Sequence, residues 1–113
     1  MSTEETGRLD RGDGIHLAWA RLPGRGPTTV FLTGFRSDME GSKATALRDF
    51  CAAEGRAFLR FDYSGHGASE GRFEEGCIGE WASDAATVIE KLTEGPLVLV
   101  GSSMGGWIAL LLM

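Results

Sequence analysis

The stretch Leu97-Val98-Leu99-Val100-Gly101-Ser102-Ser103-Met104-Gly105-Gly106-Trp107 decides the fold. Four apolar residues, two of them β-branched, run straight into a turn of small residues, and the turn opens an apolar segment that reaches Met113. An uninterrupted apolar run of that length suits a strand buried on both faces of a parallel sheet. The pentapeptide Gly101-Ser102-Ser103-Met104-Gly105 has the form Gly-x-Ser-x-Gly, the strand-to-helix turn that lifts a serine hydroxyl out at the tip of such a sheet. The spacing has a steric cause. A serine held at positive φ in so sharp a turn crowds its neighbours two places before and two places after, and here both are glycine. Moving the register to Ser102 would put Val100 and Met104 in the crowded places, so Ser103 is the candidate nucleophile. Strain of this kind persists where surrounding elements hold it, typically at functional sites. The plainer reading is a glycine-rich strand-to-helix turn without chemistry, and the rest of the chain decides between the two.

Length and charge narrow the choice. A chain of 113 residues, 42% hydrophobic, holds one globular domain at most. Its net charge of −5, with lysine and arginine scattered rather than clustered, makes nucleic acid and anionic membrane poor partners. The two cysteines, Cys51 and Cys77, and the two histidines, His16 and His66, lack metal-ligand spacing. No metal and no cofactor is expected. Met1-Ser2-Thr3-Glu4-Glu5 is acidic, without the apolar core of a secretory signal or the arginines of a transit peptide, and no segment is long enough to span a bilayer. The expected location is a reducing cytoplasm.

Taken in order, residues 1–13 read as a polar, glycine-punctuated lead-in, and residues 14–113 as the domain. Ile15–Leu22 alternates in polarity like a half-buried edge strand, with His16 turned to solvent. Pro23–Pro27 is a turn by composition. Thr28–Thr33 reads as a central parallel strand ending in the loop Gly34–Gly41. A helix capped by Ser42 and stopped by Gly55 follows, with Ala44, Leu47, Phe50 and Cys51 on its apolar face. Residues 57–61 form the next strand, Asp62–Ser69 its loop, and Gly79–Leu92 an amphipathic helix with Trp81, Ala85, Val88, Ile89 and Leu92 inward and Asp84 outward. Strands alternating with helices predict an α/β fold: a mostly parallel sheet with helices on both faces.

Three motifs coincide in this frame, and together they resemble an α/β-hydrolase. They are the Gly-x-Ser-x-Gly turn, the loop Asp62-x-x-Gly65-His66-Gly67-x-Ser69 after a strand, and Thr33-Gly34-Phe35 where the family carries its oxyanion loop. Phe61-Asp62-Tyr63-Ser64-Gly65 and Gly101–Trp107 are most similar to the branch containing a mitochondrial palmitoyl-protein thioesterase and its bacterial relatives. Thr33 departs from the family, many members having histidine there.

The resemblance implies a serine hydrolase that cleaves carboxylic esters or acyl thioesters, its substrate a small molecule or an acylated protein. Ser103 would be the nucleophile, and the backbone N–H groups of Phe35 and Met104 would form the oxyanion hole. In this family the triad runs serine, acid, histidine along the chain, yet Met104–Met113 contains neither acid nor histidine. The chain is therefore expected to be the N-terminal half of an α/β-hydrolase domain, truncated after the helix that follows the nucleophile and inactive alone. Its uncovered strand edge is expected to favour self-association. His66 is read as a loop-shaping or pocket-edge residue rather than a base, Asp62 as a loop-anchoring acceptor, and Asp84 as surface charge. A non-catalytic binding or interaction module of the same fold is the alternative. A dinucleotide site is excluded, because Glu70 occupies the place of the third glycine that would follow Gly65 and Gly67.

Overall fold

The computed structural model describes residues 3–113. Its five strands are β1 (Glu5–Asp10), β2 (His16–Leu22), β3 (Arg25–Leu32), β4 (Arg56–Phe61) and β5 (Leu97–Gly101). Three helices, α1 (Ser42–Glu54), α2 (Ile78–Leu92) and α3 (Met104–Leu111), connect or follow them. The strands lie in the order β1-β2-β4-β3-β5. β3 pairs in parallel with both β4 and β5, while β2 runs antiparallel to β1 and to β4, so β2 alone is reversed in a mostly parallel sheet.

Alternation along the central strands divides the core between two layers. Val30 and Leu32 of β3 and Leu59 and Phe61 of β4 pack with Trp81, Ala85 and Val88 of α2 and Ile108 of α3. Phe31 and Phe58 point the other way, onto Ala44 and Cys51 of α1. Helices thus cover both faces, and the carboxyl ends of β3, β4 and β5 meet along one edge of the sheet.

Several local readings change. The polar lead-in is not loose over Glu5–Asp10, where β1 pairs with β2 from Glu5–Arg21 to Asp10–His16. β2 is consequently an interior strand. The pairing is carried by backbone bonds rather than by apolar side chains, so composition concealed it. Its turn is closed by the Asp10 carboxylate, which accepts from the Gly12 and Gly14 amides at 2.7 and 3.1 Å. The turn over Pro23–Pro27 is shorter than expected, because β3 begins at Arg25. Gly41 rather than Ser42 is the N-cap of α1, without a side-chain cap bond, while Gly55 ends the helix in the left-handed region at φ 66° as expected. Phe50 lies exposed on α1, with the Arg56 guanidinium 6.0 Å from its ring centre.

Asp84 is the largest correction among the side chains, since it is 2% exposed rather than a surface charge. It lies three residues after Trp81 and four before Val88, and i+3 and i+4 neighbours share a helix face. Its carboxylate accepts from the Ser64 amide at 2.9 Å and from the Arg11 guanidinium at 3.0 Å. Arg11 also pairs with Glu80 and Asp13, so α2, the β1–β2 turn and the loop after β4 are tied at one point.

Candidate active site

At the carboxyl end of β5 the Ser102 amide donates to the Leu32 carbonyl of β3 at 3.1 Å, and Ser103 then takes φ 56° and ψ −117° before α3 begins. Ser103 and Arg36 are the only non-glycine residues at positive φ among the described residues. The Ser103 side chain is exposed at the tip of the sheet. Its flanking glycines are required by contact. A Cβ on Gly101 would stand 2.4 Å from the Gly105 backbone, and one on Gly105 would stand 1.9 Å from the Leu32 carbonyl oxygen. The Ser102 side chain turns elsewhere, its Oγ accepting from Lys43 Nζ at 3.2 Å beside a hollow of about 240 Å³ bounded by α1 and the loop after β3.

The loop after β3 lies directly against this turn. A Cβ on Gly34 would be 3.2 Å from the Ser102 carbonyl oxygen and 3.4 Å from Ser103 Cβ. The Ser37 amide donates to the Gly34 carbonyl at 3.1 Å, closing a four-residue turn around Phe35 and Arg36. Among the described residues neither the Phe35 nor the Met104 amide donates an intramolecular hydrogen bond. Met104 opens α3, where the helix dipole places partial positive charge. The Phe35 ring stands outward, edge-on to Phe73 at 5.1 Å and Trp81 at 5.9 Å between ring centres.

A set of buried polar groups fixes the two loops. Asp62, 1% exposed, accepts from the Met39 amide at 2.8 Å and from the Ala68 amide at 3.0 Å, so one carboxylate holds the loop after β3 to the loop after β4. Burial pushes its carboxyl above the usual range, with the two amide bonds opposing the shift. Gly67 is at φ 48°, where a Cβ would stand 2.3 Å from Asp62 Oδ2. Met39 is gripped from its other side as well, because buried Arg60 donates to its carbonyl at 2.6 Å while pairing with Glu4 at 2.8 Å. Tyr63 donates its hydroxyl to the Thr33 carbonyl at 2.9 Å, and burial pushes that phenol up.

His66 is buried, its Nδ1 donating to the Ser64 carbonyl at 3.0 Å and its ring edge-on to Tyr63, Phe73 and Trp81. Its Nε2 is enclosed without a partner among the described residues. The ring packs inside the loop after β4 and also borders a hollow with Gly65, Gly67 and Phe73. Glu4, Arg60 and Tyr63 carry no individual role that the sequence announces. A charged or hydroxylated residue in a strand or loop carries no mark of the distant backbone group it will hold.

This arrangement can be set beside known proteins. The model of the alpha/beta hydrolase family matches residues 22–113. The chain belongs to that family. A bovine protein named palmitoyl-protein thioesterase ABHD10, mitochondrial, is 48% identical over 100 residues, covering 88% of this chain and 33% of that protein. The solved alpha/beta hydrolase domain-containing protein 10 from mouse superposes with a TM-score of 0.92 at 42% identity, covering 96% of this chain and 43% of that one. A structure described as that of a candidate hydrolase from Agrobacterium vitis S4 gives 0.88 at 40% identity, over 99% and 44%. This chain spans about a third of the length of the curated relatives it matches.

The relatives overturn the expected cytoplasmic location, because the bovine, rat and human proteins are all named mitochondrial. The expectation rested on the unpaired spacing of Cys51 and Cys77 and on an N-terminus unlike a signal or transit peptide, and neither is positive evidence for a compartment.

Proposed function

We propose that the protein carrying this alpha/beta hydrolase segment cleaves carboxylic esters or acyl thioesters through an acyl-enzyme formed on Ser103. The observation that carries this reading is the backbone of Ser103, held at φ 56° between a strand and a helix with its side chain exposed and glycine two places before and two places after. The names of the thioesterase relatives support an S-acylated protein or a small acyl thioester as substrate. Ser103 Oγ attacks the acyl carbonyl carbon and passes its proton to a histidine. The carbonyl oxygen becomes an oxyanion that accepts from the Phe35 and Met104 amides, with the N-terminus of α3 favouring the charge. The carbonyl then re-forms as the thiolate or alkoxide leaves, taking the proton, and water releases the acyl group by the same steps in reverse.

These 113 residues alone are catalytically silent on this account. His66 Nε2 is enclosed by aromatic rings, Asp62 and Asp84 are committed to backbone amides, and no histidine bonds Ser103 among the described residues. A serine without its base loses on the order of a million-fold in turnover. The isolated chain is expected to release p-nitrophenol from p-nitrophenyl butyrate at the background rate, whereas the intact protein turns over both that ester and an S-palmitoylated peptide. Hydrolysis by the isolated chain that disappears in Ser103→Ala would overturn the silence and make His66 the base. An intact protein that cleaves neither substrate would favour the non-catalytic binding module. Self-association of the isolated chain, through the open side of β5 and exposed Trp107, Leu110 and Leu111, belongs to the same proposal.

A further inference from the structure

Arg36 occupies a position that local backbone preference does not explain. It is the third residue of the Gly34–Ser37 turn and sits at φ 58°, in the left-handed region where a side chain is disfavoured. Elsewhere among the described residues glycine takes such positions, at Gly12, Gly14, Gly55, Gly65, Gly67, Gly71 and Gly95, and the one other exception is the candidate nucleophile itself. The Arg36 guanidinium lies 4.6 Å from the centre of the Phe73 ring. Among the described residues it has no hydrogen-bond acceptor and no carboxylate, whereas Arg8, Arg11, Arg21, Arg48, Arg60 and Arg72 each pair with a carboxylate and Arg25 donates to the Glu54 carbonyl. Arg56, 6.0 Å from the Phe50 ring centre, is the other arginine without an acceptor among the described residues, and it lies on α1's side of the chain rather than after a candidate oxyanion donor. A guanidinium resting on an aromatic face keeps its N–H donors in its own plane, oriented and free for a planar or tetrahedral oxyanion.

A hollow adjoins this residue. Arg36 follows directly on Phe35, whose amide is a candidate oxyanion donor, and it bounds a hollow of about 250 Å³ with Gly65, His66, Gly67, Phe73 and Glu74. Glu74 is the one carboxylate on that hollow, and it faces Arg72 at 4.0 Å, which offsets its charge. We propose that Arg36 is a specificity-determining residue that binds an anionic group, a carboxylate or a phosphate, on the ester or thioester substrate. This rests on the hydrolase reading for its meaning and on the Arg36 geometry for its evidence. A chain with a net charge of −5 repels anionic substrates in general, and an oriented cation on the residue after a candidate oxyanion donor selects those that present their charge at that spot.

The test separates binding from turnover. Trp81 stacks on Phe73 at 5.6 Å, so tryptophan fluorescence of the intact protein reports on this hollow. Titration with glutarate, and separately with inorganic phosphate, is expected to give a saturable change for at least one of them, and the responding anion identifies the group recognised. Arg36→Gln and Arg36→Gly are expected to weaken that binding about tenfold or more, the effect of losing charge-assisted hydrogen bonds, while Ser103→Ala leaves it unchanged. Arg36→Gly also relieves the left-handed backbone, so its melting temperature holds or rises while binding falls, a combination that a purely structural arginine would not produce. In turnover, Arg36→Gln is expected to raise KM about tenfold for mono-p-nitrophenyl glutarate or for an acyl-coenzyme A, matching the anion bound, and to leave p-nitrophenyl butyrate unchanged. No saturable response to either anion, equal binding by the Arg36 variants, or equal losses on neutral and anionic esters would overturn the proposal. An intact protein that binds anions through Arg36 but hydrolyses no ester would refute the hydrolase reading instead.

Discussion

Replacing Ser103 by alanine in the intact protein lowers turnover of an acyl thioester about a million-fold and leaves its binding nearly unchanged. The proposed mechanism makes the effect this large because Oγ would be the atom that forms the bond to the acyl carbon, with no neighbouring group to take its place. Ser102 is the internal control. Its Oγ accepts from Lys43 Nζ on the α1 side, so Ser102→Ala is expected to keep most of the activity. The contrast decides the register of the turn by chemistry as well as by the steric argument from Gly101 and Gly105. Steady-state kinetics on an S-acyl peptide, with KM and kcat read separately, make the measurement. A Ser103→Ala protein with a tenth or more of the parent turnover would be incompatible with an acyl-enzyme on that oxygen, since loss of a single oxyanion donor alone costs roughly 2.7–4 kcal/mol of barrier.

The second large effect is on folding. Gly105→Ala adds a methyl group whose carbon would lie 1.9 Å from the Leu32 carbonyl oxygen and 2.8 Å from that of Thr33. Both neighbours are backbone of β3 and its following loop, so relief requires α3 to move away from the sheet. Ile108, fully buried in the core beneath that helix, would move with it. The expected loss is about 4 kcal/mol or more, in the range reserved for steric conflict with a fixed core. Gly106→Ala is the matched control, because its added carbon meets nothing nearer than the Gly101 oxygen at 3.9 Å. Removing a glycine from a helix in open space stabilises by up to about 1 kcal/mol. Chemical denaturation of the two variants is thus expected to shift the midpoint in opposite directions.

These two residues also show why much of this fold was legible before any coordinates. Gly101 and Gly105 bracket Ser103 because backbone packs against backbone there, and only the absence of a side chain satisfies that contact. Such a requirement must appear in the sequence. The alternation of strands and helices was readable for the same reason, since Val30, Phe31 and Leu32 need apolar neighbours on both faces of the sheet. β1 left no comparable trace. Its ladder to β2 is made by main-chain groups that every residue carries, and Leu9 is its one large apolar side chain. Asp84 was readable in principle from its place between Trp81 and Val88 on one helix face, but its charge argued for solvent. The partners that make burial tolerable, Ser64 and Arg11, lie 20 and 73 residues away. Arg36 was hidden differently, because nothing in Gly-Phe-Arg-Ser announces a left-handed arginine.

Most directly, the central claim is tested by treating the intact protein with a fluorophosphonate and locating the adduct by mass spectrometry of its peptides. The account predicts one stoichiometric phosphonyl group, on Ser103 and not on Ser102, and none in the Ser103→Ala protein. An adduct on another residue, or an intact and folded protein that takes up no probe, would contradict it.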